Sequence, residues 1–196
     1  MGNSNIWDVK KAEKVCCFDI DGVLNSYPDC WMDYVCQKTG VCHTDLNSLK
    51  KSLSYEQYRT LKKEYRLSGI KEKLTPTSDA SYVTQRLKKL GWTIIIVTAR
   101  PAQEHPCLSE QTRRWLDNCN IAYSHIEFGQ KNKRGKILED FPNIKFAVED
   151  NSYLANTMAS WGYKVFLMHN KYNRGLKLEK KVQRIYKLKD ILKSIT

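Results

Sequence analysis

The chain has 196 residues, enough for one domain with a modest insertion, and its 41% hydrophobic and 11% aromatic content excludes a wholly disordered polymer. A formal charge of +12 suits an anionic substrate and raises nucleic acid as a partner, although the basic residues are dispersed and read largely as solvated surface. The longest purely apolar runs are four residues, as at Ile94 to Val97, far too short to span a bilayer. The first residues lack the apolar core of a signal peptide, and Ile6 stands where a myristoylation motif wants Ser or Thr. A soluble, cytoplasmic protein with no membrane partner is expected.

In chain order, Lys14 to Ile20 (KVCCFDI) reads as a first strand. Residues 25–76, rich in Tyr, Lys and Ser, carry two helical stretches at most and no strand, and read as a small helical insertion. Asp79 to Leu90 has apolar residues at Val83, Leu87 and Leu90, roughly helical spacing, and stops at Gly91. Trp92 to Val97 (WTIIIV) is the clearest strand, because its β-branched run lacks the polar alternation of a half-exposed strand. Ser109 is placed to cap a helix through Trp115 and Leu116. Ser124 to Phe128, Lys145 to Val148 and Lys164 to Met168 are further strands. Helices are expected at Lys133 to Phe141, Ser152 to Trp161 and Asp190 to Ser194. The alternation predicts an α/β domain with a mainly parallel sheet, made of residues 1–24 and 77–196 around the insertion at 25–76.

Seven cysteines cannot all pair within one chain. Cys30, Cys36, Cys42 and His43 lack the CxxC spacing of a zinc site, so reduced thiols are the expectation.

Polar groups collect just past the buried strands. Asp19-Ile20-Asp21-Gly22 follows strand one; an Asp-Gly pair is also a common hairpin turn. Thr98-Ala99-Arg100-Pro101 follows the second strand, and Glu149-Asp150-Asn151 follows Phe146-Ala147-Val148, where acids can also cap the next helix. Lys131 to Lys136 lies between and read alone is an exposed basic turn. In an open α/β sheet ligands bind at the carboxyl ends of strands. Acids for a hard cation, a hydroxyl and a lysine there meet the needs of phosphoryl transfer.

As a set and in this order, FDIDGVL, VTAR, a lysine before a helix and AVEDN resemble the four motifs of the haloacid-dehalogenase-like superfamily of phosphohydrolases, from Val15 to about Met168. The resemblance implies a three-layer Rossmann-like core with a cap inserted after strand one. It implies Asp19 as the nucleophile that forms an aspartyl-phosphate and Asp21 as general acid and base. It implies Mg²⁺ held by the Asp19 carboxylate, the Asp21 carbonyl and Asp150, with Glu149 acting through a water. Thr98, with Ala99 and Arg100 beside it, would bind the phosphoryl oxygens. Lys131, Lys133 and Lys136 all lie within reach as the motif lysine, and Lys133, four residues before Ile137, fits the layout best.

Caps in this family select substrates, and Tyr27, Trp31, Tyr34 and Lys38 are candidates for stacking and phosphate contact, or for the cap's own core. The stretch from Thr98 to Phe128 is similar to the 5′-deoxynucleotidases and the phosphatase domain of polynucleotide kinases. The expected activity is a phosphomonoesterase on nucleoside monophosphates or similar small metabolites. A nucleic-acid end (3′-) phosphatase is the alternative. An inactive nucleic-acid-binding or regulatory module comes third, disfavoured by the intact Asp19 and Asp21.

Overall fold

The computed structural model describes residues 6–128 and 140–195. Lys131, Lys133, Lys136 and most of the helix expected at Lys133 to Phe141 lie outside the described residues. Six parallel strands form one sheet in the order β3-β2-β1-β4-β5-β6. They are β1 (Val15–Phe18), β2 (Thr93–Thr98), β3 (His125–Phe128), β4 (Ile144–Glu149), β5 (Lys164–Met168) and β6 (Val182–Ile185). β1 is central: Phe18 lies opposite Ile96 on one side and Val148 on the other.

Alternate residues of the central strands enter two cores. Cys16, Phe18, Ile94, Ile96, Phe146 and Val148 face one, with Val83 and Leu87 of α5 (Ala80–Lys89) and Trp115 and Leu116 of α6 (Cys107–Asn118). Val15, Cys17, Ile95, Val97 and Ala147 face the other, with Val9 of α1 (Ile6–Lys11) and Ala155 and Met158 of α7 (Ser152–Ser160). Both faces are covered, which is why these strands read as unbroken apolar runs. The result is the expected three-layer α/β architecture.

Between β1 and α5 lie α2 (Asp29–Thr39), α3 (Leu46–Ser52), α4 (Tyr55–Leu67) and a 3₁₀ turn at Ile70–Glu72. Three helices replace the two at most that the composition suggests. α3 and α4 carry their own start signals: the Asp45 side chain caps α3, and Ser54 with Gln57 forms a capping box on α4. The apolar faces of α2, α3 and α4 form a separate core of Trp31, Met32, Tyr34, Val35, Leu49 and Tyr65. Asn25 bridges Pro76 and Thr77 N donates to Leu24 O at 2.9 Å, so the two ends of the segment meet.

Several expectations are corrected. Ser109 does not cap α6; the helix begins two residues earlier, after Pro106, whose φ of −54° and ψ of −31° are already helical. β6 was not expected. As an edge strand it buries only Val182 and Ile185, so its four residues, VQRI, carry too little apolar signal within a basic stretch. The terminal helix is a 3₁₀ turn at Leu188–Ile191 leading into α8 (Leu192–Ile195). Cys36 and Cys42 are paired rather than reduced, with Cα atoms 4.4 Å apart, because Gly40 ends α2 at φ 73° and turns the chain back. Cys30 instead sits 3.3 Å from the Tyr65 hydroxyl, and His43 Nε2 lies 3.0 Å from Ser52 Oγ, so the cysteine–histidine group forms no zinc cluster. Among the described residues no helix is long and apolar enough to cross a membrane.

Candidate active site

The strand order reverses direction between β1 and β4, and a crevice opens at that point beyond the carboxyl ends of a doubly wound sheet. Asp19 directly follows β1, Glu149 ends β4 and Asp150 follows it. Asp19 N donates to Val148 O at 3.0 Å, which locks the two strand ends together. One carboxylate oxygen from each of Asp19, Glu149 and Asp150 lies within 4.8 Å of the others, and all three residues are buried.

The two local alternatives for these acids do not hold. β1 pairs only with parallel neighbours, and the Asp-Gly segment closes an Ile20 to Leu24 turn, Leu24 N donating to Ile20 O at 2.9 Å, rather than a hairpin. Asn151 caps α7, its side-chain oxygen accepting from Tyr153 N at 3.0 Å and Leu154 N at 3.2 Å. The acids before it are therefore not needed as caps. Gly22 sits at φ 96°, and a Cβ there would collide with the Asp150 carboxylate and the Tyr172 hydroxyl, so the glycine permits the close approach of the β1 loop to Asp150.

Asp21 faces a different set of groups. Arg100 Nη2 donates to its Oδ1 at 2.9 Å, Asn25 Nδ2 donates to the same oxygen at 2.8 Å, and Lys71 Nζ reaches Oδ2 at 3.1 Å. Burial works to raise the Asp21 pKa. The charges of Arg100 and Lys71, with hydrogen bonds from Arg100 and Asn25, outweigh it and hold the carboxyl well below its ordinary range. Burial wins for Lys71: it brings the ammonium down to about 8 despite the pull of Asp21. Lys71 arrives from the 3₁₀ turn, which α6 holds in place. Trp115 Nε1 donates to Leu74 O at 2.7 Å and Arg114 pairs with Glu72 at 2.9 Å.

These residues open into a cavity of about 400 Å³, within the size range of small-molecule sites. Asp19, Asp21, Glu149 and Asp150 lie on its sheet side, and Tyr27, Lys62 and Arg66 come from the segment between β1 and α5. Ala99, Arg100 and Pro101 line it too, whereas Thr98, only 1% exposed, is not among its lining residues; its Oγ1 accepts from Arg100 N at 3.4 Å. The Arg100 guanidinium is engaged by Asp21 and, at 3.0 Å, by Thr112 Oγ1. Of the candidate substrate aromatics only Tyr27 reaches the cavity; Trp31 and Tyr34 are buried in the segment's own core and Lys38 is exposed beside Tyr34.

Four site residues carry no sequence signal: Lys62, Arg66, Lys71 and Tyr172. Tyr172 follows β5 in a 3₁₀ turn at Lys171–Asn173. Asn173 Nδ2 anchors that turn on the Asp150 and Met168 carbonyls, both at 2.8 Å. The Tyr172 hydroxyl donates to Asp150 Oδ2, and burial together with the Asp150 charge pushes the phenol pKa far up, so it stays a donor.

No family model and no curated protein matches the sequence. Solved structures do match in fold. A Haemophilus somnus protein predicted to be a phosphoglycolate phosphatase aligns with a TM-score of 0.66 and 14% identity, over 95% of this chain and 99% of its own. A Streptococcus pneumoniae hydrolase of the haloacid dehalogenase-like family aligns at 0.62 and 12%, over 94% and 99%. The D,D-heptose 1,7-bisphosphate phosphatase of B. bronchiseptica, complexed with magnesium and phosphate, aligns at 0.58 and 13%, over 93% and 97%. The chain has the fold of the haloacid dehalogenase-like phosphatases.

Proposed function

We propose that the protein is a Mg²⁺-dependent phosphomonoesterase that works through an aspartyl-phosphate on Asp19, with small phosphorylated metabolites, nucleoside monophosphates foremost, as substrates. The supporting observation is the buried Asp19–Glu149–Asp150 cluster at the carboxyl ends of the two central strands, open to a cavity that Asp21 also lines. The segment at 25–76 acts as the cap over that cavity.

Three buried carboxylates in one place would suit a cation, and an all-oxygen donor set fits Mg²⁺. Asp19 and Asp150, with the Asp21 carbonyl, would hold the ion and Glu149 would act further out. The ion would neutralise charge on the phosphoryl oxygens. Asp19 attacks phosphorus as the ester P–O bond breaks, and Asp21, having taken up a proton from the incoming phosphate monoanion, delivers it to the departing oxygen. Asp21 then takes a proton from water, which attacks phosphorus and frees Asp19 and inorganic phosphate. The charges of Arg100 and Lys71 favour the ionised Asp21 that this second half needs. Ala99 and Arg100, which line the cavity, and Lys133 are proposed on the phosphoryl oxygens, with Thr98 reaching them only if its buried hydroxyl turns toward the cavity.

The test is phosphate release with Mg²⁺ over nucleotides, sugar phosphates and 3′-phosphorylated oligonucleotides. Chelation and Asp19→Asn should abolish it, and Asp21→Asn should slow it by roughly a hundred- to ten-thousand-fold, less on p-nitrophenyl phosphate. Near-normal release by Asp19→Asn would overturn the nucleophile, and no release from any substrate would overturn the activity.

A further inference from the structure

Lys62 and Arg66 stand one turn apart on α4, on one helix face, and both line the Asp19 cavity. The Lys62 ammonium lies 4.1 Å from the Trp31 ring centroid, 5.0 Å from Tyr27 and 5.5 Å from Tyr65. Ring faces attract the cation, and among the described residues no oxygen accepts from its N–H donors. Among the described residues neither Lys62 nor Arg66 is paired with a carboxylate, whereas the other two cavity cations, Lys71 and Arg100, are both committed to Asp21. Burial, with the nearby Lys71 charge, brings Lys62 down to about 7, a cost that an arriving anion would relieve. A second cavity, of about 540 Å³, shares Lys62 and Arg66 with the first and continues past Arg59 and Lys63. Among the described residues its acids are Glu56 and Glu104, against the four cations Arg59, Lys62, Lys63 and Arg66.

We propose that Lys62 and Arg66 form a subsite for a second phosphate of the substrate, distinct from the phosphate that reacts at Asp19. This rests on the phosphatase reading and narrows its substrate class to compounds with two phosphates. The source is either a small bisphosphate or an oligonucleotide end whose next phosphodiester reaches α4. The charge layout supports it. Acids for a metal and a nucleophile stand on the sheet side, and uncommitted cations stand on the helical side of one cleft.

The experiment is calorimetry on full-length Asp19→Asn with Mg²⁺, which separates binding from turnover. The probes are a nucleoside 5′-monophosphate, the matching 3′,5′-bisphosphate and a 5′-phosphorylated trinucleotide. A second phosphate should tighten binding at least about tenfold, the worth of one charged hydrogen bond. Lys62→Met and Arg66→Gln should each erase most of that gain, while Lys62→Arg should keep it; thermal melts confirm that the variants fold. A further gain for the trinucleotide that Lys63→Gln removes identifies a polynucleotide, and a gain complete at the bisphosphate identifies a metabolite. Equal binding of mono- and bisphosphate, a gain that survives both variants, or no binding of either the bisphosphate or the trinucleotide overturns the subsite. A gain with no phosphate release by the unmodified protein would instead sink the hydrolase reading and leave the subsite standing.

Discussion

Lys71 Nζ lies 3.1 Å from Asp21 Oδ2, joining the segment between β1 and α5 to an acid fifty residues earlier in the chain. Arg100 holds the opposite oxygen at 2.9 Å, so one carboxylate is clamped by a cation from the helical segment and another from the end of β2. Their combined charge keeps Asp21 ionised in the folded state far below its ordinary range. The helical segment is therefore tied electrostatically to the reacting centre and is more than a covering layer.

A depressed carboxyl pKa contributes stability that is present above the unfolded value, about 4, and is lost as pH falls toward the folded one. Unfolding free energy should thus fall below pH about 4, and fall less in Lys71→Met and Asp21→Asn than in the unmodified protein. Denaturant titrations at a series of pH values read this directly. A drop of the same size in all three proteins would show that the clamp contributes nothing.

Metal dependence should follow Asp150 more than Glu149. Asp150→Ala removes a proposed direct ligand, while Glu149→Gln can still hydrogen-bond through water. Tyr172→Phe frees Asp150 Oδ2 from the hydroxyl that orients it. Loss of such an orienting partner should raise the Mg²⁺ needed for half-activity by about ten- to a hundredfold. A lower requirement in Tyr172→Phe would mean the hydroxyl competes with the ion for that oxygen.

Gly22→Ala places a methyl group against Asp150 and Tyr172 on a backbone at φ 96°. The strain should cost about 1–3 kcal/mol in chemical denaturation and weaken the Mg²⁺ response together. Gly40 shares the positive φ, but a Cβ there meets nothing within 4 Å, so Gly40→Ala should lose stability without touching Mg²⁺. Identical Mg²⁺ titrations for the two variants would remove the packing argument.

Lys62 is lowered from 10.5 to about 7 by burial and by the nearby Lys71 charge. Between those pH values the unfolded chain binds a proton that the folded chain does not, so Lys62 makes stability rise with pH from about 7 toward 10.5. Below pH 7 its contribution is flat. Lys62→Met should flatten that rise, as read from denaturant midpoints at pH 7 and pH 9. An unchanged slope would show that the ammonium is well solvated.

The outline of the sheet and the acidic cluster were legible because local pattern and chain direction determine both. A strand buried on two faces must be apolar throughout, so β1, β2 and β4 stand out, and parallel strands deliver whatever follows them to one edge. Asp19, Glu149 and Asp150 could therefore be placed together without knowing any contact between them. Edge strand β6 escaped because only two of its four residues are buried. Lys62, Arg66, Lys71 and Tyr172 escaped for another reason. They sit in polar stretches where no period separates a solvated cation from a buried one. Their roles come from α6 holding the 3₁₀ turn, from Asn173 anchoring the loop after β5, and from aromatic rings closing on one lysine. Local sequence determined where the carboxylates would gather, because direction along a strand is a local property. Only the tertiary structure decided which cations face them, because burial and pairing depend on segments fifty or more residues apart.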